Sequence, residues 1–191
     1  MTRSFSFALV LLSAWSQALA TDLHDKVLQG AHQQIGVTTR YDPVYARLSY
    51  PGGDVPLDRG VCTDVVVRAY RSAGIDLQIL IHEDMQKAWN AYPHIWGLKE
   101  PDANIDHRRV QNLEIFFHRH GISLSNSARG ADYLPGDIVT WRLSNGLPHI
   151  GIVSRVDKRG AFVIHNIGAG AREEAVLFDY RIVGHFRYPA S

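Results

Sequence analysis

The stretch Gly60-Val61-Cys62-Thr63-Asp64-Val65-Val66-Val67-Arg68-Ala69-Tyr70 carries the helical signal on which the fold prediction rests. Apolar residues recur through it at three- and four-residue spacing, which predicts one amphipathic helix over residues 61–73. Gly74 follows as a left-handed stop. The only cysteine of the chain, Cys62, therefore lies at the start of a helix, where unpaired N–H groups and the helix dipole favour a thiolate over a thiol.

Residues 1–20 have the pattern of a secretory signal peptide. Arg3 supplies a positive charge, residues 5–12 a mostly apolar run, and Ala18-Leu19-Ala20 a small-x-small cleavage site. The apolar run is too short to span a bilayer, and no other stretch approaches the length of a membrane helix. We therefore expect the mature chain, residues 21–191, to be one domain that is exported to the periplasm or secreted.

Cys62 has two interpretations. A lone free cysteine is commonly a small buried hydrophobe. An exported protein, however, lies where cysteines pair, and this chain has no second cysteine with which to form a disulfide. A thiol kept free in that environment favours a nucleophile. The net charge is +1 and falls to zero when Arg3 is removed, so charge gives no reason to expect nucleic acid or an anionic membrane as a partner.

The first two thirds of the chain are mostly helical in pattern. Further helices are predicted over residues 21–36 and 108–120, each ended by a glycine. Residues 75–81 fit either a short strand or the entry to a helix, and residues 84–89 are helical in propensity. The polar segment 92–107 is interpreted as an insertion. The loop 37–59 is long and rich in tyrosine, and we expect it to form a binding wall with Tyr41 and Tyr45 nearest the substrate; the alternative is a surface loop without a ligand.

The C-terminal third consists of short β-branched runs that turn signals separate. The predicted strands cover residues 137–142, 149–156, 161–167, 175–179 and 182–188. Helices first and an antiparallel meander last predict an α+β domain in which N-terminal helices pack on a C-terminal antiparallel sheet.

An activated thiol needs a base in hydrogen-bond reach and a third polar group that orients the base. His149 opens a predicted strand, and Gly151 on the same face leaves room for a backbone or a substrate. His165 and Asn166 lie on the following strand. A hairpin loop of three or five residues turns His165 to the face of His149, whereas a loop of two or four residues selects Asn166. Both alternatives stay open, because either side chain can hydrogen-bond an imidazole.

These residues resemble those of two known families. The runs Gly60–Asp64, Pro148–Val153 and His165–Gly168 are similar to those of the secreted bacterial "domain of unknown function 1287" family. The order of the Cys62 helix, the Leu134–Val139 strand and the His149 strand also resembles the NlpC-type cell-wall cysteine peptidases of the papain-like superfamily. The resemblance implies a papain-like, NlpC-type fold and a triad of Cys62, His149 and His165, with Asn166 in reserve. It also implies cleavage of an amide in the peptide stems of peptidoglycan.

One departure concerns the nucleophile. NlpC-type enzymes usually have Asp-Cys-Ser there, whereas this chain has Val61-Cys62-Thr63. Asp64 follows in the first turn, where its charge opposes a thiolate. We assign Asp64 two alternative roles, contact with a substrate ammonium or stabilisation of the helix start.

Three other functions compete with a cell-wall hydrolase. One is a histidine-rich metal site, although His118 and His120 are two apart on a predicted helix and are poorly placed as joint ligands; we expect no metal and no cofactor. Another is a non-catalytic wall-binding module of the same shape. A third is hydrolysis or acyl transfer on a non-wall amide or lipid. The sequence does not distinguish which amide is cut, nor the oligomeric state.

Overall fold

The computed structural model describes residues 22–189, so the predicted signal peptide lies outside the described residues. Four α-helices are present in this part, α1 (residues 22–32), α2 (Cys62–Ser72), α3 (Leu77–Lys87) and α4 (Val110–His120). The ambiguous segment 75–81 opens α3, because the Asp76 side chain accepts a hydrogen bond from Gln78 N at 3.0 Å and caps the helix. Gly74, with φ of +84°, ends α2 as predicted. No helix in this part is both long and apolar enough to cross a membrane.

Within residues 22–189, eight strands form two sheets. β1 (Arg40–Tyr41) and β2 (Arg59–Gly60) make a short parallel pair in front of α2. The main sheet is antiparallel, in the order β3-β8-β4-β5-β6-β7, and β8 returns across the sheet to pair with β4. Its strands are β3 (Ile122–Ser123), β4 (Ile138–Arg142), β5 (Pro148–Asp157), β6 (Gly160–His165), β7 (Arg172–Glu174) and β8 (Arg181–Arg187).

The strand predicted over residues 175–179 is wrong. These residues form turns, and β7 occupies the sheet edge a few residues earlier in the chain. Leu177 is fully buried because this segment folds over the sheet, where the Leu177 amide donates to the Ala161 carbonyl at 3.3 Å. The apolar spacing that suggested a strand therefore reflects burial in a covering turn.

The main sheet is buried on both faces. One face carries Ile150, Ile152 and Ile164 and packs against α2 and the other helices. The opposite face carries Val139, Trp141, Val153 and Val163 and is covered by Tyr133 and Leu177. The expectation of an α+β domain with helices packed on an antiparallel sheet is confirmed.

Loop 37–59 and insertion 92–107 are joined to each other beside the start of α2. The Tyr45 hydroxyl donates to Asp102 Oδ2 at 2.9 Å, and the Leu48 amide donates to Asn104 Oδ1 at 2.8 Å. Gln78 also bridges them, because its side-chain amide donates to the carbonyls of Ser49 and Ala103. Two irregular segments thereby form one wall next to Cys62.

Candidate active site

Cys62 is the first residue of α2, as predicted, and its side chain is buried. Val61, before it, offers no side-chain cap, and the Asp64 carboxylate instead accepts from the Val61 amide at 2.7 Å. The backbone amide of Ile150, on β5, contacts the thiol. The start of α2 is therefore held directly against the strand that begins with Pro148 and His149.

The pKa of the Cys62 thiol is raised, whereas its position at a helix start predicted a lowered pKa. Burial, together with the nearby charge of Asp64, raises the pKa of Cys62 to about 12, against the lowering contributed by the amides of Ile150, Thr63 and Cys62 itself. The helix start does contribute, but removal of the thiol from water is the larger effect. In this structure the resting group at neutral pH is a thiol.

His149 and His165 are in direct contact. His149 Nε2 lies 2.9 Å from His165 Nδ1, and both side chains are buried. The rings are nearly perpendicular, and His149 stacks on Trp141 with ring centroids 5.7 Å apart. The structure therefore brings together the predicted base and one of its two predicted partners.

A β-bulge decides this pairing. The β5–β6 hairpin has a two-residue loop, since Asp157 lies opposite Gly160, and a two-residue loop alone would select Asn166. Ser154 is an extra residue in β5 and has no partner on β6, so the register shifts by one residue there. Beyond this bulge, Ile152 lies opposite Ile164. This shift turns His165 to the face of His149.

Gly151 gives His165 the space it needs. A Cβ atom at Gly151 would lie 3.1 Å from the Cβ of His165 and 2.6 Å from Cγ1 of Val163. The second distance is far shorter than a normal contact, so any larger residue would push β6 away. The predicted role of Gly151, to leave room on this face, agrees with these distances.

Glu174 extends the chain of contacts and was not found by sequence reasoning. Its Oε2 lies 3.1 Å from Nε2 of His165, in a geometry too bent for a good hydrogen bond. The negative charge of Glu174 next to Nε2 favours the tautomer of neutral His165 that carries its hydrogen on Nε2 and accepts at Nδ1 from His149 Nε2. His149 Nδ1 is then left without a hydrogen and free to accept a proton. The sequence carries no signal for Glu174, because β7 was not predicted.

The environment keeps His149 neutral. Burial, together with the charge of a protonated His165, lowers the pKa of His149 to about 3. Burial also lowers the pKa of His165, although Glu174 opposes this effect. At neutral pH the pair therefore consists of uncharged rings, which suits a proton acceptor.

Asn166 lies elsewhere. Its side-chain nitrogen donates to the Gly60 carbonyl at 2.9 Å, and its oxygen accepts from the amides of Gly168 and Gly170. Because Gly60 is two residues before Cys62, Asn166 ties the end of β6 to the strand that leads into α2. In this structure it positions backbone and does not contact His149.

Cys62 and His149 approach from opposite sides of the sheet. Cys62 belongs to the core on the helix side, whereas the Trp141 neighbour of His149 belongs to the core on the other side. Within residues 22–189, no hydrogen bond joins the thiol to either nitrogen of His149. In substrate-free enzymes, catalytic contacts of this kind are often long and shorten only when substrate binds. What the two groups share is part of their lining, because Leu147 and Pro148 border both the cavity of Cys62 and the cavity of His149.

Two adjoining cavities open above these groups. A cavity of about 390 Å³ is lined by Cys62, and a cavity of about 450 Å³ is lined by His149. Tyr41, Leu147 and Pro148 line both cavities and separate them. An extended chain lying across this partition would reach both the thiol and the imidazole.

The predicted substrate-binding residues lie in three different settings. Tyr41 lines both cavities, and burial together with the nearby Cys62 raises its pKa to about 12. Tyr45 lines neither cavity and holds Asp102 of the insertion. Asp64 is buried, and its two oxygens accept from Arg108 at 2.9 and 3.1 Å and from the Val61 amide. These contacts agree with the alternative in which Asp64 stabilises the start of α2.

The histidines considered for a metal site are engaged separately. His118 contacts Ser123 at 2.9 Å, whereas His120 contacts Asp84 at 3.0 Å. Across residues 22–189, no group of three or more His, Cys, Asp or Glu side chains is arranged to hold a metal ion.

A family model described as "Domain of unknown function (DUF1287)" matches residues 28–188. The chain belongs to this family. A DUF1287 relative of high similarity is "Uncharacterized protein YijF" of Escherichia coli (strain K12), which is 60% identical over 164 residues, 85% of this chain and 80% of the relative. Among solved structures, NlpC1 from Trichomonas vaginalis aligns with a TM-score of 0.45 at 16% identity, over 85% of this chain and 44% of that one.

Proposed function

We propose that this DUF1287 protein is an exported cysteine hydrolase that cleaves an amide bond, with Cys62 as nucleophile, His149 as general base and acid, and His165 as the group that orients His149. The proposal rests on the 2.9 Å contact between His149 Nε2 and His165 Nδ1. The same strand, β5, carries His149 and Ile150, whose amide is close to the thiol. Glu174 completes the arrangement by setting the tautomer of His165.

The chemistry begins from a neutral thiol and a neutral imidazole. As the Cys62 sulfur attacks the amide carbon, its proton moves to His149 Nδ1, and the carbonyl oxygen becomes an oxyanion that backbone N–H groups at the start of α2 stabilise. His149 then returns the proton to the leaving nitrogen as the C–N bond breaks. Water, deprotonated by the same nitrogen, hydrolyses the thioester and regenerates the thiol.

The proposed substrate is a stem peptide of peptidoglycan, and the proposed location is the periplasm or the cell exterior. The signal-like residues 1–20 and the resemblance of the site motifs to wall peptidases support this choice. The paired cavities suit an extended peptide, with Tyr41 and Leu147 beneath the backbone on either side of the bond to be cleaved.

A second function has its own support. The buried thiol, with its pKa raised to about 12, is what a non-catalytic wall-binding module of the same fold would have. Such a module binds wall material but leaves Cys62 unreactive.

One experiment tests the proposal against this alternative. Purified sacculi are incubated with the wild type and with Cys62→Ala, and the released fragments are identified by mass spectrometry. Release of stem-peptide fragments by the wild type alone supports the hydrolase. Binding to sacculi without release by either protein supports the binding module. Release of identical fragments by both proteins would show that Cys62 is not the nucleophile.

The same preparations can be labelled with iodoacetamide across pH. A ground-state pKa of about 12 means that labelling of Cys62 stays slow near neutrality and rises as pH increases. If sacculi or a stem peptide accelerate the labelling at neutral pH in the wild type, but not in His149→Ala, the imidazole activates the thiol upon substrate binding. Equal labelling rates in the two proteins would contradict the role of His149.

A further inference from the structure

The cavity at Cys62 combines an apolar lining with positive charge. Most of its lining is aliphatic or aromatic and includes the side chains of Tyr41, Pro43, Trp96, Ile105 and Leu147. Arg108 and Arg109 also line it, whereas no Asp or Glu side chain does. A cavity of this composition next to the nucleophile favours a ligand that is partly apolar and carries negative charge.

The charge of Arg108 is already used within the protein. Its guanidinium donates to both oxygens of Asp64, at 2.9 and 3.1 Å, and to the carbonyls of Val44 and Asp42. Both side chains of this ion pair are almost fully buried. Arg108 therefore neutralises Asp64 and fixes loop 37–59, and it leaves no free donor pair for a ligand.

Arg109 differs from Arg108 in having no such partner. Within residues 22–189, its guanidinium makes neither a salt bridge nor a side-chain hydrogen bond, and its central carbon lies 4.0 Å from the ring centroid of Trp96. The neighbouring carboxylates are engaged elsewhere, because Asp102 accepts from Tyr45 and Asn104 and Asp106 contacts His82. Stacking on the indole holds the guanidinium plane in place while leaving its N–H edge available.

The first backbone amides of α4, next to Arg109, also add positive charge to the cavity wall. Val110 and Gln111, the first two residues of α4, line the cavity, and α4 has no side-chain cap at its start. Their amides therefore add partial positive charge to the wall that carries Arg109. Guanidinium and amide donors together match the two oxygens of a carboxylate.

We propose that Arg109, stacked on Trp96, binds a free carboxylate of the peptide substrate and so places the scissile amide at Cys62. This inference rests on the proposed function, since it names the substrate class of that site: a peptide that carries an acidic side chain or a free C-terminus within reach of the Cys62 cavity. It also gives insertion 92–107 a role, because that segment supplies Trp96.

A binding experiment with the inactive Cys62→Ala protein separates recognition from catalysis. Two synthetic stem-peptide fragments are compared by titration calorimetry; they have the same sequence, and in one of them every carboxylate is converted into a primary amide. We expect the acid form to bind about tenfold to a hundredfold more tightly, which is the range for a hydrogen bond to a charged group. Arg109→Gln in the same background removes the preference, and Arg109→Lys retains part of it.

Matched controls keep the result interpretable. Lys158→Gln, an exposed charge in the β5–β6 turn, should leave the preference unchanged. Trp96→Leu keeps the charge but removes the stack, and it should weaken binding of the acid form severalfold. Circular dichroism establishes that each variant is folded.

The outcomes for recognition and catalysis are distinct. Equal affinity for the two peptides, or a preference that survives Arg109→Gln, overturns the inference even if the wild type cleaves sacculi. Absence of binding to both peptides by the folded protein also overturns it. An Arg109-dependent preference without any cleavage by the wild type supports the carboxylate site and contradicts the hydrolase.

Discussion

Two histidine–carboxylate clusters lie on the main sheet, and they differ in whether every histidine nitrogen has a hydrogen-bond partner. In the first, His185 on β8 contacts Asp137 at 2.9 Å through Nε2 and the Ser125 carbonyl at 3.0 Å through Nδ1. Arg187 donates to both oxygens of the same Asp137. Both nitrogens of His185 are engaged and the carboxylate is fully buried, so this cluster has no nitrogen free to accept a proton, although His185 also lines a cavity.

In the second cluster, His149 uses Nε2 on His165, and its Nδ1 has no partner among the described residues. Its terminal carboxylate, Glu174, is 38% exposed, and His149 lines a cavity. The comparison shows that a histidine next to a carboxylate is not by itself a sign of catalysis. A nitrogen left free beside a cavity is the feature that allows proton transfer.

The largest expected difference between the clusters is in turnover. Cys62→Ala and His149→Ala should each lower the release of fragments from sacculi by roughly a thousandfold or more, because members of one catalytic unit do not act additively. His185→Ala should leave turnover per folded molecule within about twofold and lower the stability instead. Fragment release and thermal unfolding, measured on the same preparations, check both halves. Substantial turnover by a folded His149→Ala protein would remove the distinction between the clusters.

The next largest difference is in stability. Asp137→Asn leaves the buried His185 and the partly buried Arg187 facing a neutral group, and breaking this pair should lower the free energy of unfolding by about 3 kcal/mol. Glu174→Gln changes a half-exposed carboxylate and should lower it by less than about 1 kcal/mol. Urea unfolding of the two variants gives both values. Equal losses would mean that the Glu174 cluster is as structural as the Asp137 cluster.

A smaller loss of turnover is expected for changes at His165 and Glu174, the residues that lie behind His149. His165→Ala should reduce turnover strongly but leave a measurable remainder, and Glu174→Ala should reduce it by about tenfold, because the tautomer of His149 is then no longer imposed. Glu174→Gln, whose carbonyl can still accept from His165, should recover most of the activity and shift its pH profile. Asn166→Ala provides the opposing test, since greater damage there than at His165 would assign the orienting role to Asn166.

The last difference between the clusters is in how their stability responds to acid. The folded-state pKa of His149 is about 3, below the unfolded value of about 6.5, so the unfolded chain binds the extra proton between these pH values. Stability that depends on neutral His149 is therefore lost as pH falls from 6.5 towards 3, by up to about 1.4 kcal/mol per pH unit. His149→Gln should flatten this slope, as measured by urea unfolding at a series of pH values.

The stability that the Asp137 cluster contributes should be lost in a different pH range. Burial tends to raise the pKa of Asp137, but hydrogen bonds from His185, Arg187 and the Leu134 amide lower it below 3.8. Its contribution is present above pH 3.8 and is lost below that value as the carboxylate protonates. Asp137→Asn should therefore change the pH dependence only in strong acid; a change near pH 5 would contradict the assignment.

Local patterns were sufficient for most elements and for the order of the site residues. The periodicity after Cys62 predicted α2 and its stop at Gly74, and the β-branched runs predicted β4, β5, β6 and β8. The contacts of Asp64 agree with one of its two predicted roles, but its partner Arg108, which is 44 residues away, is not visible from any local pattern. Periodicity reports which face of an element is buried, and it carries no information on what covers that face.

The sequence by itself determined that the lone thiol begins a helix and that a histidine begins a strand, because both follow from the spacing of neighbouring residues. Three properties were decided only by the tertiary structure. The bulge at Ser154 selected His165 over Asn166, since a one-residue shift exchanges the faces of a strand. The pairing of β7 with β6 brought Glu174 to His165. Burial against β5 raised the pKa of Cys62, because removal of a thiol from water outweighs the attraction of a helix start.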